Sequence, residues 1–213
     1  MTGVPLPPAF FARPTATVAR ELLGALLISR AGGQLTGGVI VETEAYLGAH
    51  DPGSHASTKG ITARNRVMYG PPGCVYVYFT YGSHHMLNLV TEAEGTAGAV
   101  LVRAIEPTIG ARIMAGRRGA RTGPDVTNGP GKVAAALGID LGHNGVTLGD
   151  EVAVYDAAGV GDDRVGASGR IGLSAGHDLP LRYFIVGNGY VSKGRTGPKP
   201  RTRRGGPRKK ETA

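Results

Sequence analysis

Apolar and polar residues alternate along two stretches of the chain, and each alternation predicts β-strands. The first stretch, Val39–Leu47, reads VIVETEAYL, and the two-residue period of a strand places Glu42, Glu44 and Tyr46 on one face. The second, Gly73–Asn88, alternates tyrosine with valine up to a Tyr-Gly-Ser turn signal. The sequence therefore predicts one strand that presents two carboxylates and a hairpin that carries an aromatic ring at its tip.

Two further patterns predict elements that pack against these strands. Leucines recur at helical spacing over Thr15–Ser29, which predicts one amphipathic helix. Ala99–Ile105 is an apolar run that predicts a strand, and Pro107 is expected to end it. Arg103 interrupts this run, and a buried charge needs a partner because an unpaired one is costly. The candidate partners are Glu42, Glu44 and Glu106.

Composition and charge narrow the class of protein. A chain of 213 residues is long enough for one sizeable domain, and no apolar run approaches the ~20 residues of a membrane span. The first 20 residues lack the apolar block of a signal peptide, so we expect a cytoplasmic protein with no membrane partner. The single cysteine, Cys74, cannot form an internal disulfide, and no Cys/His spacing resembles a zinc site.

The net charge of +8 resides at the end of the chain. Residues 1–192 hold 15 basic and 15 acidic residues, whereas the last 21 hold 9 basic residues and 1 acidic residue. Because this end is rich in Gly and Pro and poor in apolar residues, we predict a domain over 1–192 and a disordered basic tail over 193–213. Such a tail attracts a polyanion such as nucleic acid, and a solubilising terminus is the alternative.

Glu44 and the tyrosines near it are candidates for chemistry. A carboxylate close to a water and to apolar ring surface can act as a general base, and Arg103 would keep it ionised. Carboxylates at i and i+2, ~7 Å apart, also fit a glycoside hydrolase pair, and a solvated strand face is the alternative. Clustered rings offer surfaces on which a planar base can stack, although tyrosines are also common in strand cores. The rings are Tyr46, Tyr76, Tyr78 and Tyr81.

A long loop and a later turn supply further candidates. Loops as long as residues 48–73 tend to be functional or disordered. In this loop His55 could serve a site or be an ordinary surface histidine, and Arg64 could hold a phosphate or remain solvated. Lys132 follows a Gly-rich turn at which a helix is expected to begin. This turn could contact a phosphate or could simply cap the helix. The turn lacks the pattern of a nucleotide-binding P-loop.

Several motifs together resemble one family, the 3-methyladenine (alkyladenine) DNA glycosylases, and their order and spacing agree over about residues 10–192. The motifs are VETEAYLG (41–48), DPGSHA (51–56), MYGPPG (68–73), YVYFTYG (76–82), VRAIEP (102–107) and NGPGK (128–132). The resemblance implies a single α+β domain with a curved, mainly antiparallel sheet, peripheral helices and a protruding β-hairpin.

The resemblance also implies a repair enzyme. Such an enzyme flips an alkylated or deaminated purine out of DNA from the minor-groove side and hydrolyses the N-glycosidic bond, as a monomer, without cofactor, metal or lyase activity. The substrate class includes 3-methyladenine, 7-methylguanine, hypoxanthine and ethenoadenine. Two rival functions remain open at this point: a hydrolase of free nucleosides, which would need neither an intercalating ring nor a basic tail, and a binder of damaged DNA that does not cut it.

The matching positions imply a role for each site residue. Glu44 would activate the attacking water, Arg103 and the backbone carbonyl of Ile171 would hold that water, and Glu42 would be a supporting charge. Asn88 would clash with the amino group of guanine. The base pocket would further be lined by Tyr46, His55 and Tyr78. Tyr81 would fill the space left in the duplex, and candidate contacts to the DNA backbone are Arg64, Met68 and Lys132.

Overall fold

An antiparallel β-sheet forms the framework of the molecule. The computed structural model describes residues 3–57, 60–80, 82–156 and 159–194. Within them the strands are β1 (Leu26–Ser29), β2 (Thr36–Tyr46), β3 (Val75–Thr80), β4 (His84–Val90), β5 (Ala99–Ile109), β6 (Val152–Tyr155), β7 (Val165–Ser168) and β8 (Arg182–Ile185). The sheet runs β3-β4-β5-β2-β1-β6, while β8 pairs with β2 and with β7.

Four α-helices accompany this curled sheet in the described part of the chain, as the predicted α+β fold requires. They are α1 (Pro8–Phe11), α2 (Thr15–Glu21), α3 (Ala111–Arg117) and α4 (Pro130–Leu137). Helices α2 and α4 pack on the central strands. The core between these helices and the sheet contains fully buried side chains such as Leu22, Ile40, Leu87, Ile105 and Val133. Thr43 Oγ1 donates to the carbonyl oxygen of Ala19 in α2 at 2.7 Å, which fixes one face of β2 against the core.

The prediction of one helix over Thr15–Ser29 is wrong in its second half. Helix α2 ends at Glu21, Gly24 adopts a φ of +89°, and Leu26–Ser29 forms β1 between β2 and β6. A left-handed φ suits glycine and reverses the chain. Val18, Leu22, Leu23 and Leu27 are buried and Leu26 is half-buried, because a short apolar run fits a buried strand as well as a helix.

Strand β5 does not end at Pro107, as the sequence predicted, but continues to Ile109. Pro107 pairs with Gly38 next to a register shift between Gly37 and Gly38. Proline is tolerated in a sheet at such an irregularity because no ladder hydrogen bond is needed from its nitrogen. A Cβ at Gly38 would collide with the carbonyl of Glu106, so only glycine allows the two strands to approach this closely.

The predicted hairpin is present as β3 and β4, which pair from Val75 opposite Leu89 to Thr80 opposite His84. Its turn residue Tyr81 lies outside the described residues, so the protrusion of the hairpin stays a prediction. Strand β4 pairs with β5, where Asn88 lies opposite Leu101. On its other side β5 pairs with β2, where Leu101 lies opposite Glu44. Strand β5 therefore lies between the hairpin and the strand that carries the carboxylates. In the part of the chain that is described, no helix has the length and apolarity to cross a membrane.

Candidate active site

Glu42 and Glu44 lie side by side on β2 with Arg103 of β5 between them. Both carboxylates are fully buried, so the solvated strand face is excluded. Arg103 Nε lies 2.9 Å from Glu42 Oε1, and its Nη1 lies 3.2 Å from Glu44 Oε2. Two of the three predicted partners of Arg103 are thus confirmed, while Glu106 instead accepts a hydrogen bond from Asn188. Burial opposes the charge of Arg103, but Glu44 and Glu42 outweigh it and raise the pKa of the guanidinium.

The Glu42 carboxylate is surrounded by donors from three parts of the chain. Besides Arg103, Arg182 Nε donates to Oε1 at 2.7 Å, and Ser192 donates its Oγ–H to Oε1 at 2.8 Å and its backbone N–H to Oε2 at 2.7 Å. Burial raises the pKa of Glu42, but the charges of Arg103 and Arg182 outweigh it and hold the pKa below the ordinary 4.5. Glu42 is therefore ionised, with three donors on Oε1 and the Ser192 N–H on Oε2.

The Glu44 carboxylate is held by three donors. Oε2 accepts the Tyr46 hydroxyl at 2.8 Å and faces Arg103, whereas Oε1 accepts the backbone N–H of Ile171 at 2.7 Å. Burial, and next the charge of Glu44, raises the pKa of Tyr46 well above 10, so its hydroxyl remains a donor. At Ile171 the contact to the carboxylate comes from the N–H group, a role that the resemblance did not imply.

Aromatic residues form the walls of two adjoining cavities, of about 60 Å³ and 290 Å³, beside this carboxylate. Tyr46, His55 and Tyr78 line both of them. The larger cavity extends to Arg103 and Ile171, so among the described residues those that donate to Glu44 all line it. The rings of His55 and Tyr78 meet edge to face at 4.5 Å. The structure thus brings together residues that are far apart in the sequence.

The smaller cavity is bounded by Tyr76, Met68 and Asn88. Tyr76 is almost fully buried, and its hydroxyl lies 3.0 Å from His55 Nδ1, so this ring belongs both to the core and to the pocket. Burial, and next the charge of Arg64, lowers the pKa of His55, while burial raises that of Tyr76 to about 12. Asn88, which lines this cavity, donates from Nδ2 to the carbonyls of Tyr76 and Met86.

A sequence model of the methylpurine-DNA glycosylase family matches residues 9–189. The chain belongs to this family. The glycosylase is 45% identical to a relative from Chlorobaculum tepidum over 92% of this chain and 95% of the relative, and 45% identical to one from Carboxydothermus hydrogenoformans over 88% and 98%. A relative from Methanoculleus marisnigri is also 45% identical, over 88% and 98%. Each of the three is named "Putative 3-methyladenine DNA glycosylase".

Family membership makes this chain a DNA repair enzyme that hydrolyses N-glycosidic bonds, with DNA as its substrate partner. The glycosylase places the candidate DNA-backbone contacts in three different environments. Arg64 is exposed, donates to the carbonyl of Phe79 and lies 5.2 Å above the Tyr78 ring. Lys132 Nζ is held by Asp125 at 2.5 Å and by Asn128 at 2.8 Å. The Met68 side chain is buried in the wall of the smaller cavity.

Several residues that shape the glycosylase site were not identified from the sequence. Asn65 is buried and holds the loop that carries His55: its Nδ2 donates to the carbonyls of His55 and Gly60, and its Oδ1 accepts the N–H of Thr62. An asparagine in a Gly-rich loop is a weak signal for such side-chain-to-backbone bonds. The remaining missed residues are Asp51, Arg170, Arg182 and Ser192. In the described ranges, no group of three or more His, Cys, Asp or Glu side chains could hold a metal ion.

Proposed function

We propose that this glycosylase flips a damaged purine out of DNA and hydrolyses its N-glycosidic bond with a water activated by Glu44, leaving an abasic site. One observation carries the proposal: Tyr46, Arg103 and Ile171 fix the Glu44 carboxylate and also line the aromatic cavity. A base that enters the cavity would bring its sugar carbon to a preoriented carboxylate. Arg103, whose Nη1 lies 3.2 Å from Glu44 Oε2, would position the water together with the Ile171 carbonyl.

The aromatic walls suit the substrate class. Alkylation at a ring nitrogen makes a purine cationic, which turns it into a good leaving group and attracts it to electron-rich ring faces. Tyr46, His55 and Tyr78 would stack on this base, with the His55 backbone N–H at its edge. Asn88 would exclude guanine by a clash with its amino group. We propose 3-methyladenine as a substrate, in line with the names of the relatives, and 7-methylguanine, hypoxanthine and ethenoadenine as members of the same class.

Contacts with the duplex complete the proposal. Tyr81, outside the described residues, would enter the minor groove and offset the cost of unstacking, which is a few kcal/mol per step. The exposed Arg64 would contact the backbone, and Lys132 could do so by exchanging Asp125 for a phosphate. We propose that the enzyme acts as a monomer and that the basic tail retains it on DNA through counterion release.

The decisive experiment is excision of 3-methyladenine from a defined duplex under single-turnover conditions. We expect Glu44→Gln to lose base release, while Glu106→Gln, the same chemical change on the same sheet away from the cavities, keeps the wild-type rate. Comparable release by Glu44→Gln would refute the general base. A wild-type enzyme that binds the lesion without releasing it would favour the binder, and equal hydrolysis of the free nucleoside would favour the nucleoside hydrolase.

Two further variants test the DNA contacts. Tyr81→Ala should weaken binding to the lesion duplex and slow single-turnover excision, because flipping loses its wedge while the hydrolytic group is untouched. Unchanged rates and affinity would contradict the wedge. Deletion of residues 193–213 should weaken DNA binding and flatten its dependence on salt, as titrations at several salt concentrations would show. If neither changes, the tail has no part in DNA retention.

A further inference from the structure

Asp51 and Arg170 form a buried ion pair directly behind the candidate active site. Both side chains are fully buried, and the two guanidinium nitrogens each lie 2.5 Å from a carboxylate oxygen. The residues are 119 positions apart, so the pair joins the loop after β2 to the loop after β7. Burial opposes the charge of Asp51, but hydrogen bonds from Arg170 and from the Gly53 N–H lower its pKa, so the carboxylate is ionised.

Arg170 also contacts residues of the candidate active site. Arg170 also donates to the carbonyls of Ala45 and Gly176, and its guanidinium lies 4.8 Å above the ring of Tyr46. The next residue along the chain, Ile171, supplies the N–H that binds Glu44 Oε1. Arg170 therefore adjoins in the chain the residue whose N–H binds Glu44, Ile171, and packs against the ring of a second donor, Tyr46.

The Asp51 side of the pair fixes the pocket wall. Its carboxylate accepts the N–H groups of Leu47 and Gly53, which set the course of the loop from the end of β2 towards His55. A Cβ at Gly53 would lie 2.6 Å from Arg170 Nη2, so only glycine lets this loop close over the guanidinium. One ion pair thus contacts both the segment that supplies a donor to Glu44 and the loop that leads to His55.

We infer that Asp51 and Arg170 are positioning residues of the glycosylase reaction, which act on Glu44 through the Ile171 N–H and the Tyr46 ring. The inference rests on the proposed role of Glu44. Neither Asp51 nor Arg170 lines the larger cavity, whereas Ile171 and Tyr46 do. A catalytic group that is displaced by about 1 Å can lose ~100-fold in rate, so a buried pair can affect the chemistry without touching the base.

The test compares Arg170→Lys with Arg117→Lys. Arg117 also donates to backbone carbonyls, those of Ala31 and Ala136, but it lies outside both cavities. Two quantities are measured: the single-turnover rate on 3-methyladenine, and affinities for duplexes that carry either a cationic pyrrolidine or a neutral tetrahydrofuran abasic nucleotide. The cation mimics the charge of the transition state and needs an oriented Glu44, whereas the neutral ring reports only the fold and the DNA surface.

For Arg170→Lys we expect a rate loss of about 100-fold, loss of the preference for pyrrolidine, and tetrahydrofuran affinity within about twofold of wild type. Arg117→Lys should keep the rate and the preference. A preference retained by Arg170→Lys, or equal losses with both nucleotides, would overturn the inference. If Arg170→Lys fails to fold, Asp51→Asn removes the charge of the pair at a residue that lines neither cavity, and it must give the same result. Full activity of Glu44→Gln refutes the proposed function itself, whereas wild-type behaviour of Arg170→Lys beside an inactive Glu44→Gln refutes only the positioning role.

Discussion

Replacement of Glu42 by glutamine tests whether this carboxylate is a structural charge. The amide oxygen can still accept the bonds that converge on Oε1, from Arg103, Arg182 and the Ser192 hydroxyl. The amide NH₂ group, however, would take the place of Oε2 and face the backbone N–H of Ser192, donor against donor. Two buried guanidinium groups would also lose the negative charge that they share.

The structure sets the size of the effect. A buried donor left without an acceptor costs about 1–3 kcal/mol, and breaking a buried ion pair from one side costs about 3–5 kcal/mol in all. In a domain of this size 1 kcal/mol corresponds to a change of about 2–4 °C in Tm, so Glu42→Gln should lower Tm by roughly 6–20 °C. Glu106→Gln should stay close to wild type, because Glu106 is half-buried and Asn188, which donates to its carboxylate, can donate equally to an amide oxygen.

Thermal and urea unfolding at several pH values would check this prediction. Because the pKa of Glu42 is depressed in the folded state, its contribution to stability is present above its ordinary pKa of 4.5 and is lost as the pH falls. The difference in stability between wild type and Glu42→Gln should therefore be full at pH 7 and shrink below pH 4.5. A Tm no lower than that of Glu106→Gln, or a difference that does not change with pH, would refute the reasoning.

Three other variants give further tests. Asn65→Ala removes three side-chain-to-backbone bonds and should cost about 2–4 kcal/mol in urea unfolding and slow excision; wild-type values for both would contradict its role in the loop. Met68→Ala should lower the free energy of unfolding by about 2–5 kcal/mol and enlarge the smaller cavity. Denaturant unfolding and a crystal structure of the variant would check this; a small loss with no larger cavity would mean that the site had collapsed. The wild type should lose stability as the pH falls below 6.5, because the lowered pKa of His55 makes the folded state bind fewer protons than the unfolded state. His55→Gln should lack this part of the loss, and parallel stability profiles of the two proteins against pH would argue against this.

The strand that carries the site was predictable because its pattern is local. Alternation along residues 39–47 indicates a strand whether or not its partners are known, and the cost of a buried charge required a carboxylate for Arg103. Both expectations are confirmed by β2 and by the contacts of Arg103 with Glu42 and Glu44. Glu106 follows Arg103 by three positions on β5, and the alternation of strand side chains places two such residues on opposite faces, so Glu106 could have been set aside.

The surroundings of the carboxylates were not predictable, because they depend on tertiary contacts. Arg170 and Asp51 meet across 119 positions, and no periodicity links a loop at one end of the chain with a loop at the other. The helix predicted over Thr15–Ser29 failed for a related reason: the pairing of Leu26–Ser29 with β2 and β6 outweighs a spacing that fits a helix equally well. Asn65 was missed because its partners are backbone groups, which every sequence contains.

The bonds between Glu42 and Ser192 also bear on the order in which this protein can be made. The carboxylate is synthesised early, but two of its donor groups belong to a residue 150 positions later. A growing chain that already contains β2 and β5 has Arg103 for the fully buried Glu42 but still lacks the donors of Arg182 and Ser192, and long-range contacts of this kind slow folding. The strand that carries Glu42 and Glu44 therefore reaches its final state only after almost the whole described chain has been synthesised, so a chain cut short before Ser192 should be unable to assemble the candidate site.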